Sequence, residues 1–124
     1  NSNELFIKES ELIKEAADKE SCVIVGRCAD FILADRKNVI KVFVYSDMEG
    51  KINRATTYYG MDKSKAEKEI KRIDKLRANH YKYYTEKDWK QNSNYDICIN
   101  SDTFGVEKSA DLICELVENE LEKI

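Results

Sequence analysis

The chain has 124 residues, of which 42% are hydrophobic and 36% charged, and its formal net charge is −3. This length and balance predict one globular domain with a modest core and exclude a disordered chain. The acidic balance argues against extended nucleic-acid binding, which needs a basic face. No apolar run approaches the roughly 20 residues of a membrane span, so neither nucleic acid nor membrane is an expected partner.

The four cysteines are not arranged as metal ligands. None of Cys22, Cys28, Cys98 and Cys114 forms a C-x-x-C pair, and there is one histidine, so no metal site is expected. All four lie in apolar strand-like or helical patterns, which favours buried, reduced thiols in a cytoplasmic protein over the alternative of a disulfide.

The first third of the chain alternates helical and strand patterns. Residues 3–19 have helical spacing and predict an amphipathic helix. The apolar run 21–26 predicts a buried strand of a parallel sheet. A short helical turn is expected over 28–34, and the β-branched and aromatic run 38–47 predicts a second strand.

Two helices are predicted in the middle of the chain. The first spans 48–58 and is followed by Gly60, a suitable C-terminal cap. Asp62 is a suitable N-cap for a long helix over 63–84. A polar loop is expected over 86–94.

The last part of the chain completes an α/β pattern. Residues 95–101 predict a third strand, and after a turn a final helix is expected over about 106–123. Strands that alternate with helices indicate a parallel sheet, so we expect an α/β fold with about three strands flanked by helices. Because the chain opens on a helix and not on a strand with a phosphate turn, we expect residues 1–124 to be the C-terminal part of a larger α/β domain.

The predicted helix over 63–84 carries two charges on its apolar face. Asp74 and Arg77 share that face, are three residues apart and can touch. A charge there must be paired or serve a ligand. Two interpretations follow: an ion pair that only orients the helix, or an Arg77 that contacts an anionic group while Asp74 orients it or contacts the substrate. The apolar members of the same face are Ala66, Ile70, Ile73, Tyr81 and Tyr84.

Arg27 directly follows Gly26 at the end of the first predicted strand. Ligands of open α/β sheets bind beyond the carboxyl ends of the strands, and a guanidinium there suits phosphate or carboxylate. The alternative is an arginine that caps loop carbonyls. Arg54, by its pattern alone, is a solvated helix residue. The chain has no G-x-x-x-x-G-K-[ST] run, so it has no loop of its own for a triphosphate.

Four stretches, in order, resemble the cytidylate kinase-like family of P-loop nucleoside monophosphate kinases. They are VIVGRCADFIL (23–33), VFVYSDMEGKINRATTYYG (42–60), KRIDKLRANHYKYYT (71–85) and YDICINSDTFGVEKSADLI (95–113). Cytidylate kinases proper continue the Gly-Arg with an acidic residue, whereas Cys28 follows here, which is typical of a divergent branch.

The resemblance implies a role for each matching residue. It implies that Arg27 holds the nucleoside monophosphate and that Asp30 positions the same substrate. Arg54 would be a catalytic arginine that reaches the nucleotide phosphates from the edge of a lid formed by residues 48–85.

The lid helix and the last turn have implied roles as well. Asp74 and Arg77 resemble the pair that contacts the substrate's sugar and phosphate, Arg77 as a second catalytic arginine, and Arg72 would assist. The turn after the third strand would lie near the ATP base, and its candidate residues are Ser101, Thr103 and Phe104.

The implied activity is transfer of the ATP γ-phosphate to a nucleoside monophosphate such as CMP or dCMP. ATP and Mg²⁺ would be held mainly by the phosphate loop, which precedes the first helix in the family and is missing from this chain. The chain alone is expected to have little or no kinase activity. The alternatives are a non-catalytic nucleotide- or phosphate-binding module, or a scaffold protein in which Arg27, Asp74 and Arg77 form structural pairs only.

Overall fold

A small parallel sheet and five helices make up residues 2–121, the part of the chain that the computed structural model describes. The helices are α1 (Ser2–Lys19), α2 (Ala29–Ile32), α3 (Met48–Tyr58), α4 (Lys63–Thr85) and α5 (Ser101–Leu121). The strands are β1 (Val42–Tyr45) and β2 (Ile97–Asn100), and a 3₁₀ turn spans Asn92–Asn94. The expected α/β class is therefore observed, in a mostly helical form.

The two strands run parallel with a register that begins at Val42 opposite Ile97. Side-chain and main-chain bonds hold this register: the Lys41 N–H donates to the Asp96 carboxylate at 2.7 Å, and the Asp96 N–H donates to the Lys41 carbonyl at 2.8 Å. Because parallel strands end at the same edge, the residues after Tyr45 meet those after Asn100. That edge carries part of the candidate site.

The first of the three expected strands, over 21–26, is not formed, so the prediction of a three-stranded sheet is wrong for the described residues 2–121. Residues 21–25 lie in no helix or strand of the described chain, and Val23 and Val25 are 92% and 87% exposed. A strand forms only when its N–H and C=O groups pair with a neighbouring strand, and within residues 2–121 no strand pairs with this segment. Ile24 alone turns inward, onto the apolar cluster of α1 and α2.

That apolar cluster anchors the N-terminal half. Ile13 of α1 packs with Ala29 and Leu33 of the α2 region, all three at most 9% exposed. The amphipathic pattern over 3–19 and the short turn over 28–34 are thus both confirmed as helices. Other apolar residues of α1, including Leu5 and Leu12, are more than half exposed.

Helices α3 and α4 pack against each other and have the caps that the sequence predicts. The Asp62 side chain accepts a hydrogen bond from the Ser64 N–H at the start of α4, and Gly60 takes a φ of 65° after the end of α3. Each helix buries an alanine, Ala55 in α3 and Ala66 in α4. The two helices therefore pack together as one pair.

The last helix begins earlier than expected, at Ser101 and not near residue 106. Gly105 interrupts it with φ 78° and ψ 163°, a conformation that needs glycine, so the expected turn survives as a kink. The helix is only partly covered after this kink, since Val106 is 67% exposed.

The cysteines also differ from expectation. Cys28 is buried, but Cys22, Cys98 and Cys114 are exposed, because the segments that carry them are only partly covered. No helix within residues 2–121 has the length and apolarity needed to cross a membrane.

Candidate functional site

The carboxyl edge of the sheet holds a carboxylate that is tied to both strands. Asp102 accepts hydrogen bonds from the Asp47 N–H at 2.7 Å and from the Ser46 hydroxyl at 2.9 Å. These bonds, the backbone N–H first, hold the pKa of Asp102 below its usual range. The Arg54 guanidinium of α3 lies 3.7 Å from the same carboxylate. Asp102 is therefore an ionised carboxylate that connects the ends of the two strands and lies next to Arg54.

Gly50 makes this arrangement possible. A Cβ at this position would lie 2.7 Å from Asp102 Cγ and from Ser46 Oγ, and closer still to a carboxylate oxygen of Asp102. The first turn of α3 can approach Asp102 only because residue 50 has no side chain. The Gly50 N–H also donates to the Asp47 side chain, which caps α3.

The other charged group joins α3 to α4. Lys51 Nζ lies 2.6 Å from Asp74 Oδ2, and the Arg77 guanidinium lies 3.8 Å from Asp74 Oδ1. Lys51 and Arg54 are three residues apart, so they share one face of α3. We call Lys51, Arg54, Asp74, Arg77 and Asp102 the α3 charged cluster.

The Arg27 loop is held in an unusual backbone conformation. Gly26, Arg27 and Cys28 all have positive φ, at 71°, 57° and 58°. This conformation is disfavoured for residues with a Cβ, and the Ala29 N–H donates to the Gly26 carbonyl at 3.1 Å across it. The loop directs the Arg27 guanidinium to within 3.5 Å of Glu9 on α1, and it is 68% exposed there.

Asp30 is engaged by α4. The Tyr81 hydroxyl donates to Asp30 Oδ2 at 2.7 Å, and Tyr81 is buried. Burial and the carboxylate raise the pKa of Tyr81, so the hydroxyl stays protonated and keeps donating. Tyr81 is one turn beyond Arg77, and this contact connects the α3 charged cluster with the Arg27 loop.

Arg72 points away from these groups, as its helical phase indicates. Its guanidinium makes two hydrogen bonds to Glu69, at 2.5 and 3.1 Å, on the exposed side of α4. This pairing lowers the pKa of Glu69. The structure does not bring Arg72 together with the other predicted site residues.

The residues expected near the ATP base differ in exposure. Ser101 is buried, and its hydroxyl donates to the Tyr45 carbonyl at 3.2 Å, so it ties β1 to α5. Thr103 is exposed, and the Phe104 ring is 49% exposed. Of the three, Phe104 presents a surface on which a base could stack.

Arg27, Arg54 and Arg77 share one property that Arg72 lacks. Each makes a single carboxylate contact, at 3.5 to 3.8 Å, and donates no hydrogen bond to another residue of the described chain. A guanidinium has five N–H donors, so nearly all donors of these three residues are available to an external acceptor.

An open cleft of about 750 Å³ lies beside the α3 charged cluster. This volume is within the range of small-molecule sites. Among residues 2–121 no group of three or more His, Cys, Asp or Glu side chains is placed to hold a metal ion. The cleft is lined by Asp47, Glu49, Gly50, Ile52, Asn53, Thr56, Lys63 and Asp102.

Three residues that hold the predicted site residues in place, Ser46, Lys51 and Tyr81, are not predicted from the sequence as site residues. Lys51 has a detectable signal, because it lies four residues before Ala55 and so on the buried face of α3, the same argument that found Asp74. Ser46 and Tyr81 have no such signal, since their partners Asp102 and Asp30 are more than 50 residues away.

Most of the site residues described above lie in a region that matches a known protein family. The chain matches the description of the cytidylate kinase-like family over residues 1–103. The chain belongs to this family. The match includes the Arg27 loop, helices α3 and α4, and the start of α5.

A solved structure supports the architecture of this cytidylate kinase-like chain. An uncharacterized protein from Eubacterium ventriosum is 33% identical, with a TM-score of 0.80 over 92% of this chain. The chain spans 65% of that relative's length. No curated protein matches the chain.

Proposed function

We propose that this protein is a phosphotransferase that moves the γ-phosphate of ATP to a nucleoside monophosphate of the CMP or dCMP kind. Residues 2–121 supply acceptor-binding and lid groups. The observation that carries the proposal is the set of uncommitted guanidinium donors on Arg27, Arg54 and Arg77. Arginine suits phosphate because it stays charged and binds with two parallel hydrogen bonds.

The chemistry of phosphoryl transfer explains why such arginines would sit on a pair of lid helices. Catalysis of this reaction is mostly positioning and neutralisation of charge on the phosphates. Arg54 and Arg77 on α3 and α4 would approach the phosphates as the lid closes and excludes water. Arg27 would hold the acceptor phosphate, and Asp30, fixed by Tyr81, would orient the acceptor.

In this proposal, the described residues would meet only the base and sugar of ATP. The cleft beside Asp102 has the volume for a base and sugar, and Phe104, two residues after Asp102, offers an exposed ring. Mg²⁺ is bound through nucleotide phosphates and one or two carboxylates, and it would neutralise charge on the β- and γ-phosphates. It would be held mainly outside residues 2–121.

Calorimetric titration with CMP and with cytidine tests the acceptor site. If the guanidinium donors bind the phosphate, CMP binds at least about tenfold more tightly than cytidine, because hydrogen bonds to charged groups contribute roughly 1.5–3 kcal/mol. Arg27→Ala, Arg54→Ala and Arg77→Ala each weaken CMP binding by about tenfold or more. Lys71→Ala, an exposed cation of α4 paired with Glu67, is the control and leaves affinity unchanged.

Two results would favour the other functions. If Arg77→Ala lowers the melting temperature but leaves CMP affinity unchanged, the pair with Asp74 is structural and the scaffold interpretation holds. If CMP binds but a longer protein containing this chain and a phosphate loop does not phosphorylate it with ATP and Mg²⁺, a binding module is the better description.

A further inference from the structure

Lys51 takes the closer position on a carboxylate that two cations share. Its ammonium contacts Asp74 Oδ2 at 2.6 Å, while the Arg77 guanidinium lies 3.8 Å from Oδ1. The Lys51 and Asp74 side chains are 22% and 17% exposed, and that of Arg77 is 64% exposed. Asp74 is thus held from the α3 side, although Arg77 is its neighbour on α4.

A second acid–arginine pair on the same helix shows what happens where no lysine competes. Glu69 and Arg72 are also three residues apart, with the acid first, and they close into two hydrogen bonds. Asp and Arg at this spacing can pair in the same way, although Asp is one methylene shorter. The difference at Asp74 is the ammonium of Lys51, which occupies the carboxylate from the neighbouring helix.

We propose that Lys51 is a positioning residue that keeps the Asp74 carboxylate from closing on Arg77. The Arg77 guanidinium then stays available for a nucleotide phosphate. The inference rests on the proposed function for the identity of that ligand, but the availability of Arg77 can be measured without any ligand.

The test is the rate at which phenylglyoxal, a reagent for guanidinium groups, modifies each arginine of the chain, measured by peptide mass spectrometry. In the unsubstituted chain we expect Arg77 to react faster than Arg72, which is committed to Glu69. In Lys51→Met the carboxylate turns to Arg77, and modification of Arg77 slows by about two- to fivefold, the range of an exposed ion pair.

Three further variants separate positioning from a general loss of packing. Lys51→Arg keeps the cation and the original Arg77 rate. Lys51→Met with Asp74→Asn removes the competing carboxylate and restores the Arg77 rate. Lys71→Met, on the exposed face of α4, leaves it unchanged. Should Lys51→Met not fold, as judged by circular dichroism, Lys51→Gln takes its place.

An Arg77 rate that is unchanged or faster in Lys51→Met overturns the inference, and so does failure of Asp74→Asn to reverse the slowing. CMP affinity is measured on the same variants, and we expect Lys51→Met to weaken it by the same factor. If CMP does not bind the unsubstituted chain, the proposed function fails, while the Arg77 rates still decide the role of Lys51.

Discussion

At the scale of single residues, the arginines of this chain are distinguished by how closely they contact their carboxylates. Arg72 donates two hydrogen bonds to Glu69, and Arg36 forms a close ion pair with Asp18. Arg54 and Arg77 stand off from theirs by more than a hydrogen-bond length. Residue type alone cannot separate these cases, because it does not report which donors are already occupied.

Gly50 gives a prediction at this scale. Alanine is usually better than glycine inside a helix by about 1 kcal/mol, so Gly50→Ala would ordinarily stabilise α3. Here the added Cβ displaces the Asp102 carboxylate from the Ser46 hydroxyl and the Asp47 N–H. We expect a net loss of about 1–3 kcal/mol in the free energy of unfolding, measured by urea denaturation.

A double-mutant cycle with Asp102→Ala checks the cause. Once the carboxylate is gone, the same Gly50→Ala substitution should cost much less. Asn53→Ala, an exposed position of α3, is the matched control and should be neutral or slightly stabilising. An equal cost of Gly50→Ala with and without Asp102 would contradict this account.

At the scale of elements, α4 connects the parts of the candidate site. Its middle carries Asp74 and Arg77 beside α3, and its last turns reach the N-terminal half of the chain. There Tyr81 binds Asp30, and the Tyr84 ring stacks on Phe6 of α1 with centroids 4.1 Å apart. The end of α4 is therefore attached to the N-terminal half of the chain.

Tyr81→Phe tests that attachment. The substitution keeps the ring but leaves the half-buried Asp30 carboxylate without its donor, which costs about 1–3 kcal/mol in the free energy of unfolding. Tyr83→Phe is the control, because Tyr83 is exposed and its hydroxyl makes only a long contact, 3.5 Å, to Asn3. If the two variants melt at the same temperature, the hydrogen bond to Asp30 does not stabilise the position of α4.

At the scale of the whole molecule, stability depends on groups that burial keeps neutral. Burial first, then Asp30 and Glu9, raise the pKa of the Cys28 thiol from 9.0 to about 11. Burial and Asp30 likewise raise the pKa of Tyr95 to about 12. A group whose pKa is higher in the folded than in the unfolded state stabilises the fold at pH values below its unfolded pKa. That stabilisation is lost as the pH rises through the folded pKa.

The free energy of unfolding should therefore fall as pH rises above about 9. Between about pH 9 and 11 the Cys28 share of that loss is about 1–3 kcal/mol. Cys28→Ala should flatten the curve over this window in chemical denaturation, whereas Cys98→Ala, at an exposed thiol, should not. If the free energy of unfolding falls with pH equally in both variants, the assignment to Cys28 is wrong.

The local features of the fold follow from the sequence. Gly60 follows the end of α3 and Asp62 precedes the start of α4, because caps and left-handed turns depend on the residue type at one position. The periodic face of α4 placed Ala66 and Tyr81 in the interior, because helical spacing alone determines which residues share a face. Four stretches in the same order as in the family were enough to identify it, and the family match over residues 1–103 confirms that identification.

What the sequence could not decide depends on partners that are distant along the chain. The run 21–26 has the composition of a strand, but strand pairing is non-local, and its valines are exposed in the described chain. The spacing of Asp74 and Arg77 predicted a pair, yet only packing of α3 on α4 brings Lys51 to that carboxylate. Helix periodicity and capping were therefore determined by sequence, while the tertiary structure decided which charges are neutralised and which remain available.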